Sequence, residues 1–216
     1  MKWGKDVDLF PVKVRTYQSK FDSDFWPMLT DWLLENTEFR QNNFPEGVET
    51  SWPMLQTIEE GPIYDLKEFF YAALTDYHLH HKLHCDQLKI STMWANRAPA
   101  RSGVGHPLHR HPMSYISAVF YITEGAPTVF HDPLTQRNYD SMEVVSEVIN
   151  ENHYGPHAAI DAEPGKLILF PSWLMHQSDR HLEDYDRWTI SFNALPTGKV
   201  NIGPWDEPMA YMDLTK

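Results

Sequence analysis

Three histidines have the spacing of ligands for a transition metal. His109 and His111 lie two residues apart and directly precede Tyr115–Ile122, a run with the composition of a β-strand. Residues i and i+2 of an extended chain point to the same face, so the two imidazoles would lie side by side. His176 follows a second strand-like run, Lys166–Pro171. Because neutral imidazole is a common ligand for first-row transition metals, the three side chains predict a metal site.

The His-x-His pair alone is a weak indication, because the chain contains 12 histidines. His80 and His81 lie near the end of a predicted helix and are interpreted as solvated. His106 lies three residues before His109 and would be out of phase with it on a strand, so it is not counted among the ligands.

A cation and two hydroxyls follow the third histidine. Arg187 comes eleven residues after His176 and begins an alternating strand that also carries Thr189 and Ser191. If these three side chains share a face, a guanidinium that binds a carboxylate through two bonds has hydroxyls beside it. The alternative is a surface arginine that pairs with the acidic run 183–186.

Five segments together resemble the superfamily of Fe(II)- and 2-oxoglutarate-dependent oxygenases, and most closely a bacterial and phage group within it. The segments are His109-Arg-His-Pro112, Ser117-Ala-Val-Phe-Tyr121, Phe130-His-Asp-Pro133, Leu169-Phe-Pro-Ser-Trp-Leu-Met-His176 and Arg187-Trp-Thr-Ile-Ser-Phe-Asn193. The resemblance covers about residues 94–195, and its most specific part is 170–176.

The resemblance implies a fold and a metal. The fold would be α+β, a double-stranded β-helix (a jelly-roll, cupin-like barrel) with N-terminal helices packed on one sheet. The metal would be Fe(II), held by His109, His111 and His176, with positions left open for the co-substrate and O2.

The resemblance also implies that 2-oxoglutarate is the co-substrate. Arg187 would bind its distal carboxylate, helped by Thr189 and Ser191. Tyr121 would either donate a hydrogen bond to the same molecule or serve as a core aromatic residue. The activity would be that of a hydroxylase-type dioxygenase.

One position departs from the superfamily pattern. The usual ligands are two histidines and one carboxylate, and here the carboxylate position is occupied by His111. Asp132 or Asp179 are therefore alternative third ligands. A three-histidine site also resembles that of some cupins.

Two other functions fit parts of the pattern. The first is a cupin-type three-histidine dioxygenase without 2-oxoglutarate, because Gly165, Pro171 and His176 also resemble a cupin segment; the glutamate expected after the His-x-His pair is absent, and Tyr115 stands there. The second is a non-catalytic jelly-roll binding module. Only the oxygenase hypothesis requires Arg187 to face the metal across a small-molecule pocket.

Composition limits the class of protein. A net charge of −12 argues against general nucleic-acid binding, which needs clustered cations. No apolar run approaches the ~18 residues of a membrane span, and the N-terminus lacks an apolar signal core. The single cysteine, Cys85, excludes an internal disulfide, and we expect a cytoplasmic protein. The substrate is expected to be a small molecule or a peptide. Trp205 and Tyr211 would cover either the surface of the chain or a partner, which allows a homodimer.

The elements predicted along the chain suit a single domain, 1–216, with a helical support region (about 1–86), a β-barrel core (about 87–195) and a C-terminal extension (196–216). Helices are predicted from Ser19 or Asp22 to about Phe39 and from Asp65 to about His81. Strands are predicted at 12–17, 87–94, 115–122, 127–131, 157–162, 166–171 and 187–194. Residues 40–64 are predicted to form a loop. The segment 134–156 is interpreted either as a lid over the site or as a disordered surface loop.

Overall fold

A computed structural model describes residues 12–43, 46–133, 157–202 and 207–213. Its helices are α1 (Phe25–Asn36) and α2 (Pro62–His80), with a short 3-10 helix at Leu55–Thr57. Its strands are β1 (Arg15–Gln18), β2 (Glu38–Asn43), β3 (Glu46–Trp52), β4 (Gln87–Ala98), β5 (Ile116–Tyr121), β6 (Gly125–His131), β7 (His157–Ala162), β8 (Lys166–Pro171), β9 (His176–Ser178), β10 (Arg187–Ile202) and β11 (Pro208–Met212).

The strands form two antiparallel sheets. Within the described residues, the larger sheet has the order β1-β8-β5-β10-β4-β3-β2. An eighth strand, β11, pairs with the C-terminal part of β10. The smaller sheet has the order β7-β6-β9. β5 and β8 pair although β6 and β7 of the smaller sheet lie between them in the chain, as in barrels in which the chain crosses between two sheets.

The two helices cover the outer face of the larger sheet. Phe70 of α2 is fully buried, with its ring centroid 5.3 Å from that of Phe120 on β5 and 4.9 Å from that of Phe192 on β10. Leu29 and Leu33 of α1 are fully buried in the same cluster. Burial of this apolar surface is the main force that holds the helices on the sheet.

Strand alternation divides the larger sheet into two faces. On β10, Trp188, Ile190 and Phe192 belong to the helix-side cluster, so the residues between them point to the opposite face. On that face a second cluster joins the two sheets, with the ring of Phe170 on β8 5.0 Å from that of Phe130 on β6. The polar residues of β10 therefore face the space between the sheets.

The start of each helix has a local cause. A carboxylate oxygen of Asp22 accepts a hydrogen bond from the backbone N–H of Phe25 at 3.2 Å, which satisfies a donor at the start of α1. Gly61, with φ of 67°, precedes Pro62 at the start of α2, and Trp32 packs where a Cβ on residue 61 would lie. A glycine is therefore required where the chain enters α2.

Several predicted elements are confirmed and one is wrong. Both helices form, as do strands near all the positions predicted after residue 87. The loop predicted at 40–64 instead contains most of the hairpin β2–β3, which pairs with β4 through Glu49 and Thr50. Segment 134–156 and Trp205 lie outside the described residues. Among the described helices, none is long and apolar enough to cross a membrane.

Candidate active site

The histidine cluster is assembled from two chain segments that meet at one end of the space between the sheets. His109 and His176 form an antiparallel bridge, and the backbone N–H of His111 donates to the carbonyl of Ser172 at 3.0 Å. The candidate ligand atoms of His109, His111 and His176 all lie within 4.8 Å of one another. The sequence prediction that these three imidazoles converge is therefore met by the geometry.

Backbone carbonyls fix the orientation of two of the rings. The Nδ1 of His109 lies 2.7 Å from the carbonyl of Pro107, and the Nδ1 of His176 lies 2.9 Å from the carbonyl of Leu174. A carbonyl only accepts, so each Nδ1 carries the proton and each Nε2 keeps a free lone pair. The Nε2 atoms of His111 and His176 face each other at 3.3 Å. Converging unprotonated nitrogens are the donor set of a metal site.

Two of the rings, those of His111 and His176, are uncharged at neutral pH. Burial, together with the neighbouring histidines, lowers the pKa of His111 to about 3 and that of His176 to about 4. Metal binding needs neutral imidazole, so no proton has to be displaced at neutral pH before coordination.

A chain of hydroxyls lies beneath the cluster. The Ser117 hydroxyl lies 2.9 Å from that of Ser172 and 2.8 Å from the side-chain oxygen of Asn193, and the Ser172 hydroxyl lies 2.9 Å from that of Ser114. These contacts connect β5, β10 and the turn that holds the backbone of His111. We name Ser114, Ser117, Ser172 and Asn193 the hydroxyl network.

Arg187, Thr189 and Ser191 share one face of β10, as predicted, and all three line a cleft with the histidine cluster. Their exposed fractions are 5%, 2% and 7%. The Nε of Arg187 is buried without a hydrogen-bond partner, and burial lowers the pKa of this guanidinium. The alternative of a surface arginine that pairs with residues 183–186 does not fit, because Arg187 is buried and Asp184 and Asp186 pair with Arg101 and Arg97.

Tyr121 lies beside the cleft rather than in its lining. It pairs with Thr189 across β5 and β10, and its fully buried hydroxyl lies 2.5 Å from that of Thr128. The Arg187 guanidinium lies 5.9 Å from the centre of its ring. Burial raises the pKa of Tyr121, so it is a neutral residue that supports the cleft wall.

The described part of the cleft contains no carboxylate. Asp132 and Asp179, the alternative third ligands, are both absent from the histidine cluster and from the cleft lining. Asp179 is exposed. The geometry therefore favours His111 as the third member.

Other cleft residues were missed by sequence reasoning. They are Trp94, Asn96, His106, Val119, Thr128, Gln177 and Ser178. Trp94 and Asn96 lie opposite Ser191 and Thr189 in the β4–β10 register, so their side chains share the face of those residues. That register was the missing information, because strand composition alone does not give the partner of a strand.

The sequence matches one family model, described as "Putative 2OG-Fe(II) oxygenase", over residues 92–193. This range contains all three histidines and Arg187. A comparison with the curated proteins found no significant match.

Solved structures with the same fold are numerous. A prolyl-4-hydroxylase from Pseudomonas putida has a TM-score of 0.61 at 11% identity, over 87% of this chain and 94% of that one. HygX from Streptomyces hygroscopicus, solved with nickel and 2-oxoglutarate bound, has a TM-score of 0.55 at 16% identity, over 94% of this chain and 92% of that one. A 2OG-Fe(II) oxygenase family oxidoreductase from Burkholderia pseudomallei has a TM-score of 0.58 at 10% identity, over 84% of each chain.

At these identities the likeness shows the fold, and it confirms the α+β double-stranded β-helix expected from the sequence. The family match supplies the second, independent observation, since it rests on the sequence of the segment that builds the cleft. Together, the family match across residues 92–193 and the shared fold point to an Fe(II)- and 2-oxoglutarate-dependent oxygenase.

Proposed function

We propose that His109, His111 and His176 hold Fe(II), and that Arg187 holds 2-oxoglutarate beside it, in a hydroxylase-type oxygenase. The observation that carries this proposal is the placement of a buried guanidinium in the same cleft as three converging imidazoles. The imidazoles suit a metal and the guanidinium suits an anion. 2-Oxoglutarate can bind the metal with one end and the guanidinium with its distal carboxylate.

The histidine cluster fits Fe(II) by its chemistry. Three neutral nitrogens suit a first-row divalent metal, and a site with three protein ligands keeps positions open. When bound, Fe(II) and 2-oxoglutarate supply the activation of O2 that hydroxylation of a C–H bond requires. The chain's own contribution is to orient the rings through the carbonyls of Pro107 and Leu174.

Arg187 fits the distal carboxylate of the co-substrate. Its guanidinium is buried and its Nε has no hydrogen-bond partner. No described residue of the cleft lining is a carboxylate that could pair with it. An unpaired buried charge is costly, so a dicarboxylate that enters the cleft satisfies a group that the protein leaves unsatisfied. Thr189 and Ser191, on the same face, can each add a hydroxyl bond.

The third histidine changes the charge of the site. Where a carboxylate ligand would contribute a negative charge, His111 contributes none, so the metal site is more positive by one unit. The carboxylates of 2-oxoglutarate then carry the negative charge nearest to the metal. We expect this to favour binding of the dianion to the metal-loaded protein over the apo protein.

The cupin alternative leaves Arg187 without a role. A three-histidine dioxygenase that does not use 2-oxoglutarate has no need of a buried cation facing the metal, and a binding module has no need of either group. Arg187 therefore distinguishes the oxygenase from the cupin and from the binding module, as expected from the sequence.

We propose that the substrate has an apolar part. Leu108, Met113 and Trp173 are exposed on the two segments that carry the histidines, at 44%, 93% and 52%. Structures of this fold hold both kinds of organic ligand: HygX has been solved with hygromycin B, and a prolyl hydroxylase from Trichoplax adhaerens with a peptide fragment of hypoxia inducible factor. Either a small molecule or a peptide is consistent with the open end of the cleft.

The test is titration of 2-oxoglutarate into the anaerobic Fe(II) protein, followed by the metal-to-ligand charge-transfer absorbance. We expect saturable binding in the wild type. Arg187→Gln should retain the metal and weaken binding by roughly 2–5 kcal/mol, the range for breaking a buried charge pair. The matched control is Arg180→Gln, because Arg180 is exposed and should bind nothing in the cleft.

Absence of any 2-oxoglutarate binding by the metal-loaded wild type would reject the proposal in favour of the cupin or binding-module alternative. Equal binding curves for wild type and Arg187→Gln would reject the role of Arg187 specifically.

A further inference from the structure

His106 lies in the cleft although the spacing of the histidines placed it out of phase with the ligands. The chain at His106 pairs with Ser178: the His106 N–H donates to the Ser178 hydroxyl at 2.8 Å, and the Ser178 N–H donates to the His106 carbonyl at 3.0 Å. The chain around His106–His109 therefore contacts β9 at two places, through the His109–His176 bridge and through the His106–Ser178 pair. The ring of His106 lines the cleft together with Arg187.

The ring of His106 lines the cleft beside the histidine cluster, and Arg187 lines the same cleft. Its centroid is 6.1 Å from that of His109, and it is not a member of the group whose ligand atoms converge. Burial, and after it the charge of Arg187, lowers the pKa of His106, whereas Arg187 is not among the groups that act on His111 or His176. His106 therefore lines the cleft close enough to Arg187 for the charge of the guanidinium to act on it.

The hydrogen bonds around His106 leave one ring nitrogen for a ligand. The Ser178 hydroxyl oxygen already accepts the His106 N–H, and it lies 3.5 Å from His106 Nδ1. When the hydroxyl proton points at Nδ1, the ring proton is on Nε2. In the described part of the cleft no carboxylate is present to accept it. In that tautomer, an N–H donor lines the same cleft as the guanidinium.

We propose that His106 is a second donor to the distal carboxylate of 2-oxoglutarate, beside Arg187. A carboxylate has about four acceptor positions, and a bidentate guanidinium uses two of them, so an imidazole N–H can occupy a third. This role rests on the proposed function, since it requires that the co-substrate binds between Arg187 and the metal. It makes His106 a binding residue and not a metal ligand.

The test is calorimetric titration of Ni(II)-loaded protein with 2-oxoglutarate and, in parallel, with 2-oxobutyrate, which has the metal-binding end but no distal carboxylate. His106→Leu removes the donor and keeps an apolar volume in its place. We expect it to bind about one nickel per chain and to bind 2-oxoglutarate about tenfold more weakly than wild type, the loss typical of a hydrogen bond to a charged group. Its affinity for 2-oxobutyrate should equal that of the wild type.

A second variant protects the test against misfolding. His106→Gln places an amide N–H near the position of Nε2 and should recover part of the lost affinity. If thermal unfolding shows that His106→Leu does not fold, the expected result is a two- to fivefold loss for His106→Gln. His84→Leu is the matched control, since His84 is exposed and outside the cleft lining, and it should bind 2-oxoglutarate as wild type does.

Three results would overturn the proposal: unchanged 2-oxoglutarate affinity in the folded variant, an equal loss of affinity for both ligands, or loss of nickel, which would make His106 a metal ligand. A wild type that binds nickel but not 2-oxoglutarate is a different result, because it rejects the proposed function and removes the ligand on which this role depends.

Discussion

His109 and His176 are joined by two backbone hydrogen bonds, in which the N–H of each residue donates to the carbonyl of the other at 2.9 Å. Two candidate metal ligands are therefore fixed to each other by the main chain, and the separation of their rings does not depend on a flexible loop. His111 is attached separately, through Ser172. Such pre-organisation lowers the entropic cost of forming the metal site.

The first prediction concerns metal content. His109→Ala, His111→Ala and His176→Ala should each reduce the bound metal well below one ion per chain, because two nitrogens do not hold a first-row ion tightly. Measure it by elemental analysis after reconstitution with Fe(II) under anaerobic conditions. The control is His84→Ala, an exposed residue that is not in the cluster. Full metal content in His111→Ala would reopen the assignment of the third ligand.

The second prediction concerns the stability of the apo protein. Arg187 is buried with an unpartnered Nε, so Arg187→Met should raise the free energy of unfolding of the apo protein by about 1–3 kcal/mol. In the wild type, 2-oxoglutarate added with metal should raise the melting temperature, and the variant should lose that increase. Chemical denaturation with and without ligand measures both effects. A destabilised apo variant would mean that the guanidinium is already satisfied.

The third prediction concerns the hydroxyl network. Ser117→Ala removes the Ser117 partner of the Asn193 side-chain oxygen and one of the two hydroxyl partners of Ser172, and should cost about 1–3 kcal/mol of unfolding free energy. Because Ser172 also holds the backbone of His111, metal affinity should fall as well, and this second effect separates positioning from stability. Thr75→Ala removes a hydroxyl from an exposed position on α2 and should change neither quantity.

The fourth prediction concerns the helix layer. Phe70 is fully buried between α2 and the larger sheet, so Phe70→Ala should lower the unfolding free energy by about 3–5 kcal/mol. Tyr64→Ala on the same helix removes a ring that is 45% exposed and should cost far less. Equal losses in urea denaturation of the two variants would contradict the packing of α2 on the sheet.

The sequence predicted the shared faces of helices and strands wherever residues recur at regular spacing. The apolar stripe of α2 and the alternation of Arg187, Thr189 and Ser191 are repeated patterns, and each places several side chains on one face. The convergence of His176 with His109 is different, since no local pattern brings residues so distant in sequence together. Spacing alone indicated this metal site only weakly, and the resemblance to a known family made the prediction specific.

Non-local pairing explains what sequence did not predict. Glu38–Asn43 is polar and rich in residues typical of loops, yet it forms an edge strand because β3 next to it continues the larger sheet. His106 was excluded by a periodicity argument that applies only within a strand. His106 itself lies outside the described strands, and its pairing with Ser178 of β9 accompanies the placement of its ring in the cleft.

The histidine cluster and the arginine belong to opposite walls of the barrel. His176 is on β9 of the smaller sheet, and Arg187 is on β10 of the larger one. A molecule that contacts both the metal and Arg187 would therefore link the two sheets and hold them together. Amide hydrogens of β6 and β9 should exchange with solvent more slowly once metal and 2-oxoglutarate are bound, while those of α2, on the far side of the larger sheet, should keep their rates.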